Sequence, residues 1–166
     1  MEMEGFFMAT YDYSIADMAD ILHQTSSLYM ASCIPIDYGT GETYTSVEVH
    51  MLKYIIDHPG KTVTDLSREW DKSKPAISQM LKKLETKGLI RRGPAPDSDK
   101  KQLYYGTEKG QELNRTHMKY DSRVFAQTID LLRETCSQEE ILLCFHVLEE
   151  YNKARRKKHY RSSPEY

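Results

Sequence analysis

The segment from residue 62 to residue 110 constrains the fold more than any other part of the chain. Apolar residues with helical spacing lie on both sides of Asp71-Lys72, which predicts two short helices joined by a turn. The second helix ends at Lys87-Gly88. Ser73 is a favourable N-cap for the second helix, and glycine readily takes the left-handed conformation that ends a helix. A basic hairpin follows and leads into Thr107-Glu108-Lys109-Gly110. This order predicts a helix-turn-helix followed by a two-stranded wing.

The second helix of this segment, predicted over residues 74–87, has an apolar and a polar face. Its inward stripe is Ile77, Met80, Leu81 and Leu84, and its outward positions with the cap are Ser73, Lys74, Pro75, Ser78, Gln79, Lys82 and Lys83. Gln79 can pair with adenine through two hydrogen bonds, and Ser78 can reach a base edge or a phosphate. The lysines favour phosphate contacts, which position a protein without reading sequence. The alternative for the lysines is a solvated helix face.

The predicted wing joins strands 89–93 and 102–106 around a tip rich in proline and aspartate. Its expected DNA-contacting residues are Arg92, Asp99, Lys100 and Lys101. A helix in the major groove combined with an arm in the adjacent minor groove grips duplex DNA in two places. For Lys100 and Lys101, contact with phosphate or the minor groove is favoured over the alternative that this loop contacts no DNA.

Charge is distributed unevenly along the chain. The formal net charge of the whole protein is -2, but residues 1–60 carry -8, residues 61–110 carry +5 and residues 111–166 carry +1. Positive charge concentrated on one structural unit is the electrostatic footprint of a phosphate-binding surface. The positive segment coincides with the predicted helix-turn-helix and wing, which strengthens the nucleic-acid interpretation.

Cysteine usage and the N-terminus bear on where the protein works. The three cysteines, Cys33, Cys136 and Cys144, show no CxxC spacing, so they predict neither a disulfide framework nor a structural zinc site. The first residues, Met1-Glu2-Met3-Glu4, are acidic and lack the features of a signal peptide. No apolar stretch approaches the ~20 residues needed to span a bilayer. We expect a cytoplasmic protein without a membrane partner.

The rest of the chain predicts helices around the DNA-binding unit. Thr45 and Glu48 have the spacing of a capping box, and residues 37–41 read as a loop. The expected organisation is a flexible lead at 1–13, dimerisation helices at 14–44 and 111–153, a winged helix-turn-helix lobe at 45–110, and a fraying basic tail at 154–166. The terminal helices carry more apolar surface than one small domain covers, which favours pairing across a two-fold axis. The alternative is that they pack on their own lobe.

The order of parts over residues 14–153 resembles the MarR family of winged helix-turn-helix regulators. The matching motifs are Tyr44-Thr45-x-x-Glu48, Thr64-Asp65-Leu66-Ser67, Leu84-Glu85-x-Lys87-Gly88-Leu89-Ile90, Asp97-Ser98-Asp99-Lys100-Lys101 and Thr107-x-x-Gly110. The resemblance implies a mainly α fold with a β wing, a homodimer, a palindromic operator and an effector sensed near the junction of the dimer helices and the DNA lobe. The family wing carries Asp-x-Arg where this chain has Asp99-x-Lys101. Lysine lacks the planar fork of arginine, so the wing inserts less deeply or contacts phosphate alone.

Candidate sensing residues are fewer. His117 and Asp121 share one helix face, and by the resemblance His50 and His117 fall near positions of the zinc-sensing branch, whose first helix also supplies ligands. The nearest such donors are His23 and Cys33. Cys33 is also a candidate redox sensor, against the alternative of an ordinary half-buried cysteine. An isolated histidine is usually a surface or hydrogen-bonded residue rather than a metal ligand. We therefore expect that the protein requires no cofactor, and zinc binding is the alternative hypothesis.

Three classes of function compete. The main hypothesis is a sequence-specific transcriptional regulator, a repressor relieved by a small-molecule effector. The second is a winged-helix protein-interaction module without specific DNA binding, which predicts no steep salt dependence of duplex binding. The third is an enzyme, and it is disfavoured because the chain carries no glycine-rich phosphate loop, nucleophile elbow or metal-hydrolase motif.

Overall fold

The computed structural model describes residues 12–95 and 98–162, apart from the side chains of residues 32, 95, 98–100 and 157–162. The chain divides into two compact units, Met1–Ile34 and Pro35–Tyr166. The first unit contains helix α1 (Ile15–Ser32), which Ser14 opens as the N-cap of a capping box with Asp17. Its exposed apolar side chains include Ile15, Met18, Ile21, Leu22, Leu28, Tyr29 and Met30. Most of the predicted lead lies outside the described residues.

The second unit contains two hairpins and five helices within the described residues. In chain order these are β1 (Ile36–Asp37), β2 (Thr43–Tyr44), α2 (Ser46–Asp57), α3 (Val63–Glu69), α4 (Lys74–Thr86), β3 (Ile90–Ala95), β4 (Ser98–Gly106), α5 (Glu108–Leu132) and α6 (Gln138–Ser162). Strands β3 and β4 pair antiparallel, with Ile90 opposite Gly106, and their register shifts next to Pro94. The predicted fold class, a mainly α winged helix-turn-helix, is confirmed.

One apolar core joins helices α2, α3 and α4 and the start of α5 with the base of the wing. Helix α2 packs against α4, α5 and β4, and α4 also packs against α3 and β3. The core residues of these elements are Val49, Met51, Leu52, Ile55, Leu66, Ile77, Leu81, Leu84, Leu89 and Ile90. Because Ile77, Leu81 and Leu84 of α4 are buried in this core, the opposite face of α4 is exposed to solvent.

The predicted loop at residues 37–41 forms the turn of a short hairpin, β1–β2, that the sequence did not predict. One carboxylate oxygen of Asp37 accepts backbone N–H groups from Gly39 and Thr40 at 2.8 Å and from Gly41 at 3.1 Å. This turn allows the flanking residues to pair, and it brings Tyr44 fully into the core. Glycine and aspartate correctly indicated the turn, but they carry no information on whether its flanks pair.

Helix α6 corrects the prediction of a fraying tail from residue 154. The helix continues to Ser162. Three ion pairs support this continuation: Lys153 pairs with Glu149 at 2.9 Å and with Glu150 at 2.8 Å, and Arg156 Nη1 lies 2.6 Å from Glu69 Oε1 on α3. Residues 163–166 of the predicted tail lie outside the described residues.

The start of α5 packs on the core of the second unit. The hydroxyl of Thr107 donates to Gly88 O at 2.7 Å and accepts the N–H of Gly110 at 3.1 Å. The first turns of the helix bury Gly110, Leu113, Asn114 and His117. Helix α5 is therefore anchored to the core before it leaves the lobe.

Candidate nucleic-acid interface

Helix α4 presents the polar face that the sequence assigns to DNA. The Ser73 hydroxyl accepts the N–H of Ala76 at 3.4 Å, and Pro75 occupies the first turn, where its missing N–H costs nothing. The helix ends in a left-handed Gly88, with φ of 70°. Exposed on this element are Ser73, Lys74, Pro75, Ser78, Gln79, Lys82 and Lys83. All seven predicted positions are accessible, but one of the lysines is already paired, as described below.

The turn between α3 and α4 is held by side-chain and backbone hydrogen bonds. The hydroxyl of Ser67 donates to Lys72 O at 2.6 Å, and the N–H of Lys72 donates to Ser67 O at 3.1 Å. Asp71 adopts a φ of 47°, a left-handed conformation that aspartate tolerates better than most residues. These contacts fix the direction in which α4 leaves the turn.

The wing contributes fewer free charges than its sequence indicates. Arg92 Nη2 lies 2.7 Å from Glu85 Oε2 on α4, and the Arg91 guanidinium lies 4.8 Å from the centre of the Tyr105 ring. Lys101 is exposed. Asp99 and Lys100 lie on β4, but their side chains are outside the described part, so the predicted Asp99–Lys101 arrangement stays a prediction. Arg92 braces the wing against α4 in this conformation.

The Glu48 carboxylate links α2 to α4. Its Oε2 accepts the N–H of Thr45 at 2.8 Å and the Thr45 hydroxyl at 2.9 Å, which confirms the predicted capping box. Its Oε1 lies 2.8 Å from Lys87 Nζ and 3.2 Å from Lys83 Nζ. Burial alone raises the pKa of Glu48, but the hydrogen bonds from Lys87, Thr45 and Lys83 outweigh it and lower the pKa to about 2. Lys83, predicted to contact phosphate, is paired with this carboxylate.

This low pKa predicts a loss of stability in acid. The carboxyl titrates near its ordinary value of 4.5 when unfolded and at about 2 when folded. Ionised Glu48 thus stabilises the fold above 4.5, and this contribution is lost as the pH falls toward 2, up to about 3 kcal/mol. The variant Glu48→Gln keeps the cap and lacks the titration. Urea unfolding should show the two proteins converging between pH 6 and pH 2.5; a difference independent of pH would contradict this account.

The structure brings together His50, His117 and Asp121. Each offers one ligand atom, and these atoms lie within 4.8 Å of one another. His117 Nε2 is 2.8 Å and His50 Nε2 is 3.9 Å from the same oxygen of Asp121. His117 is 1% exposed, and its Nδ1 has no hydrogen-bond partner among the described residues. Burial lowers the pKa of His117, which keeps its imidazole neutral and able to bind a metal.

Tyr38 covers this cluster, and sequence reasoning missed it. Its ring meets His117 edge-on at 5.3 Å and Tyr120 at 5.4 Å. A tyrosine in a glycine-rich turn carries no signal that it packs on a histidine. The other candidate donors, His23 on α1 and the half-buried free Cys33 at its C-terminal end, belong to the first unit. Cys136 and Cys144 are also free thiols.

A recognition helix held on a helical core and followed by a two-stranded wing defines the winged helix-turn-helix class. Within that class, residues 43–101 match the sequence model of the MarR family. Over these residues the resemblance drawn from the motifs is confirmed.

Two relatives from Bacillus subtilis (strain 168) are described as uncharacterized HTH-type transcriptional regulators. YhjH is 23% identical over 109 residues, which cover 66% of this chain and 62% of that protein. YdgJ is 24% identical over 140 residues, which cover 84% of this chain and 80% of the relative. The match thus spans about three fifths of YhjH. Both relatives are named as regulators rather than enzymes.

Solved structures show the same fold at low sequence identity. The transcriptional regulator SlyA superimposes with a TM-score of 0.72 at 18% identity, covering 87% of this chain and 99% of that one. Streptococcus pneumoniae FabT, solved in complex with DNA, gives a TM-score of 0.66 at 20% identity, covering 85% and 99%. Separately, no helix among the described residues is long and apolar enough to cross a bilayer.

Proposed function

We propose that this protein is a sequence-specific transcriptional regulator that binds a palindromic operator as a homodimer and acts as a repressor relieved by an effector. The observation that carries the proposal is the exposed polar face of α4, with a wing beside it, on a MarR-family fold. Ser78 and Gln79 are the candidates for base contacts, while Lys74 and Lys82 suit phosphates. FabT, which shares the fold, was solved with DNA.

The homodimer is supported by apolar surface that the described residues of one chain leave exposed. On α5 and α6 this surface includes Val124, Phe125, Leu131, Leu142, Leu143, Phe145 and Val147. Monomeric proteins rarely expose contiguous apolar area of this kind, and homo-oligomers bury it across a symmetry axis. A two-fold dimer would also present two copies of α4 to successive half-sites ~34 Å apart.

The direct test is duplex binding. An operator is first selected from a randomised duplex pool, and affinity is then measured by fluorescence anisotropy across a salt series. Gln79→Ala should weaken operator binding by roughly 5- to 150-fold for each half-site, because each bidentate base contact is worth about 1–3 kcal/mol. Gln111→Ala, at an exposed glutamine on α5, is the matched control and should change little.

Stoichiometry and salt dependence separate this function from the alternative. A regulator of this kind should place two chains on each operator, with a steep negative slope of log affinity against log salt. Equal, weak binding to the selected and scrambled duplexes would remove sequence specificity. No binding even at low salt would leave the protein-interaction module as the better account.

For the effector, we propose a divalent metal ion of the zinc type, held by His50, His117 and Asp121. Two imidazoles and a carboxylate are a suitable zinc donor set, and a tetrahedral site needs one further ligand. Two observations support this proposal: His117 Nδ1 is buried without a hydrogen-bond partner among the described residues, and His117 Nε2 and His50 Nε2 both face the same oxygen of Asp121. The bound ion would supply a fixed positive charge that ties α2 to α5.

Zinc binding should depend on the two half-exposed ligands. Competition with a chromophoric chelator should show that His50→Gln and Asp121→Asn each weaken zinc affinity at least about tenfold. His146→Gln, at an exposed histidine on α6, serves as control. Adding zinc to the operator complex should also change its anisotropy. Equal zinc affinity in all four proteins would exclude this site, whatever the outcome of the DNA experiment.

A further inference from the structure

We propose that Glu48 is a positioning residue of the recognition helix, and that it withdraws the ammonium groups of Lys83 and Lys87 from DNA. The phosphate-facing charge of α4 is then carried by Lys74 and Lys82. This inference rests on the proposed DNA-binding function and specifies how its interface is built.

The two oxygens of Glu48 have separate partners. One oxygen closes the N-terminus of α2 through Thr45, and the other accepts Lys87 at 2.8 Å and Lys83 at 3.2 Å from the last turns of α4. Lys87 is held further by Thr43 O, 3.3 Å from its Nζ, and by the Tyr44 ring, 4.4 Å away. A single carboxylate therefore joins the start of α2 to the C-terminal end of α4.

Exposure explains why this pairing competes with phosphate. The Glu48 side chain is 9% exposed, so its charge is poorly hydrated and would be costly to leave without cations. Lys87 is 23% exposed and is committed to this site. Lys83 is 58% exposed, and its outward position on the helix would otherwise predict a phosphate contact. It is the lysine whose pairing with Glu48 changes the charge presented to DNA.

The adjacent residues Lys82 and Lys83 form a matched pair for the test. Both are exposed on the same helix turn, but no ion pair of Lys82 occurs among the described residues, whereas Lys83 is paired with Glu48. Each lysine that neutralises a phosphate adds about 0.9 to the magnitude of the salt slope on duplex DNA. Substituting Lys82 should reduce the slope, and substituting Lys83 should not.

The experiment measures the slope of log affinity against log salt on a random-sequence 30-base-pair duplex. It compares the full-length wild type with Lys82→Gln, Lys83→Gln, Glu48→Gln and the double variant Glu48→Gln/Lys83→Gln. We expect Lys82→Gln to lower the magnitude of the slope by about 0.9 per bound chain, or about 1.8 for a homodimer, and Lys83→Gln to leave it unchanged. Glu48→Gln should increase its magnitude by the same amount through release of Lys83, and the double variant should return it to the wild-type value.

The possible outcomes distinguish failure of this inference from failure of the proposed DNA-binding function. A Lys83→Gln slope reduced as much as that of Lys82→Gln overturns the inference while leaving DNA binding intact. A Glu48→Gln slope equal to that of wild type overturns it as well. If Glu48→Gln does not fold, the comparison of Lys82→Gln with Lys83→Gln alone decides. Absence of salt-dependent binding by the wild type overturns the proposed function, and the inference with it.

Discussion

Replacing Gly110 by alanine is expected to destabilise the DNA-binding lobe by about 3 kcal/mol or more. A Cβ atom at this position would lie 2.1 Å from Leu89 O and 3.2 Å from Leu52 Cδ1. Rotating a side chain cannot relieve the first contact, because the carbonyl belongs to the backbone and also accepts the N–H of Thr107 at 3.0 Å. Helix α5 must move off the core, or the start of the wing must shift.

Helix propensity and steric fit predict opposite signs for the change in stability caused by Gly110→Ala. Alanine is more favourable than glycine in a helix by about 1 kcal/mol, so helix propensity alone predicts stabilisation. Urea unfolding followed by circular dichroism measures the difference, with Gln111→Ala at the neighbouring exposed position as the control. A Gly110→Ala protein as stable as wild type would show that α5 does not approach the wing this closely.

Truncating Tyr44 to alanine should cost about 3–5 kcal/mol of unfolding free energy, although the residue lies in a two-residue strand. Its ring is fully buried in the core and also lies under the ammonium group of Lys87. The resulting cavity would remove packing contacts from the hairpin and from the end of α4 together. Denaturant unfolding should show the midpoint moving with little change in slope.

Tyr44→Phe is the matched variant, because it removes only the hydroxyl, which donates to Glu42 Oε2 at 3.1 Å. We expect a loss of about 1 kcal/mol, the usual contribution of one hydrogen bond. The two substitutions therefore separate packing from polar contact. If phenylalanine cost as much as alanine, the hydroxyl contact rather than the buried ring would hold the hairpin.

The elements predicted well are those whose determinants lie within a few residues. Thr45 and Glu48 form the capping box that their spacing indicated, and Ser73 caps α4. Gly88 takes the left-handed conformation that ends this helix. Caps of this kind involve neighbouring backbone groups, so sequence spacing alone defines their geometry.

The features that sequence reasoning missed depend on residues far apart in the chain. Lys87 and Glu48 are separated by 39 residues, and Lys109 reaches Glu42 across 67. Which of several exposed lysines meets a buried carboxylate depends on how the helices pack, which spacing does not encode. The histidine cluster was anticipated by a shared helix face and by the family resemblance. Tyr38, which covers it, lies in a turn whose composition gives no indication of burial.

The short hairpin β1–β2 has a practical consequence for assigning roles by mutagenesis. Tyr38, in its turn, lies against His117, while Thr43 and Tyr44, on its second strand, hold Lys87. One small piece of chain thus forms part of the wall of the histidine cluster and part of the support of α4. If a substitution in the hairpin alters the response to an effector, the change cannot be attributed to the histidine cluster alone. The same substitution also disturbs the residues that support α4. Mutagenesis that assigns roles to the two surfaces should therefore use substitutions outside the hairpin, each of which changes only one surface.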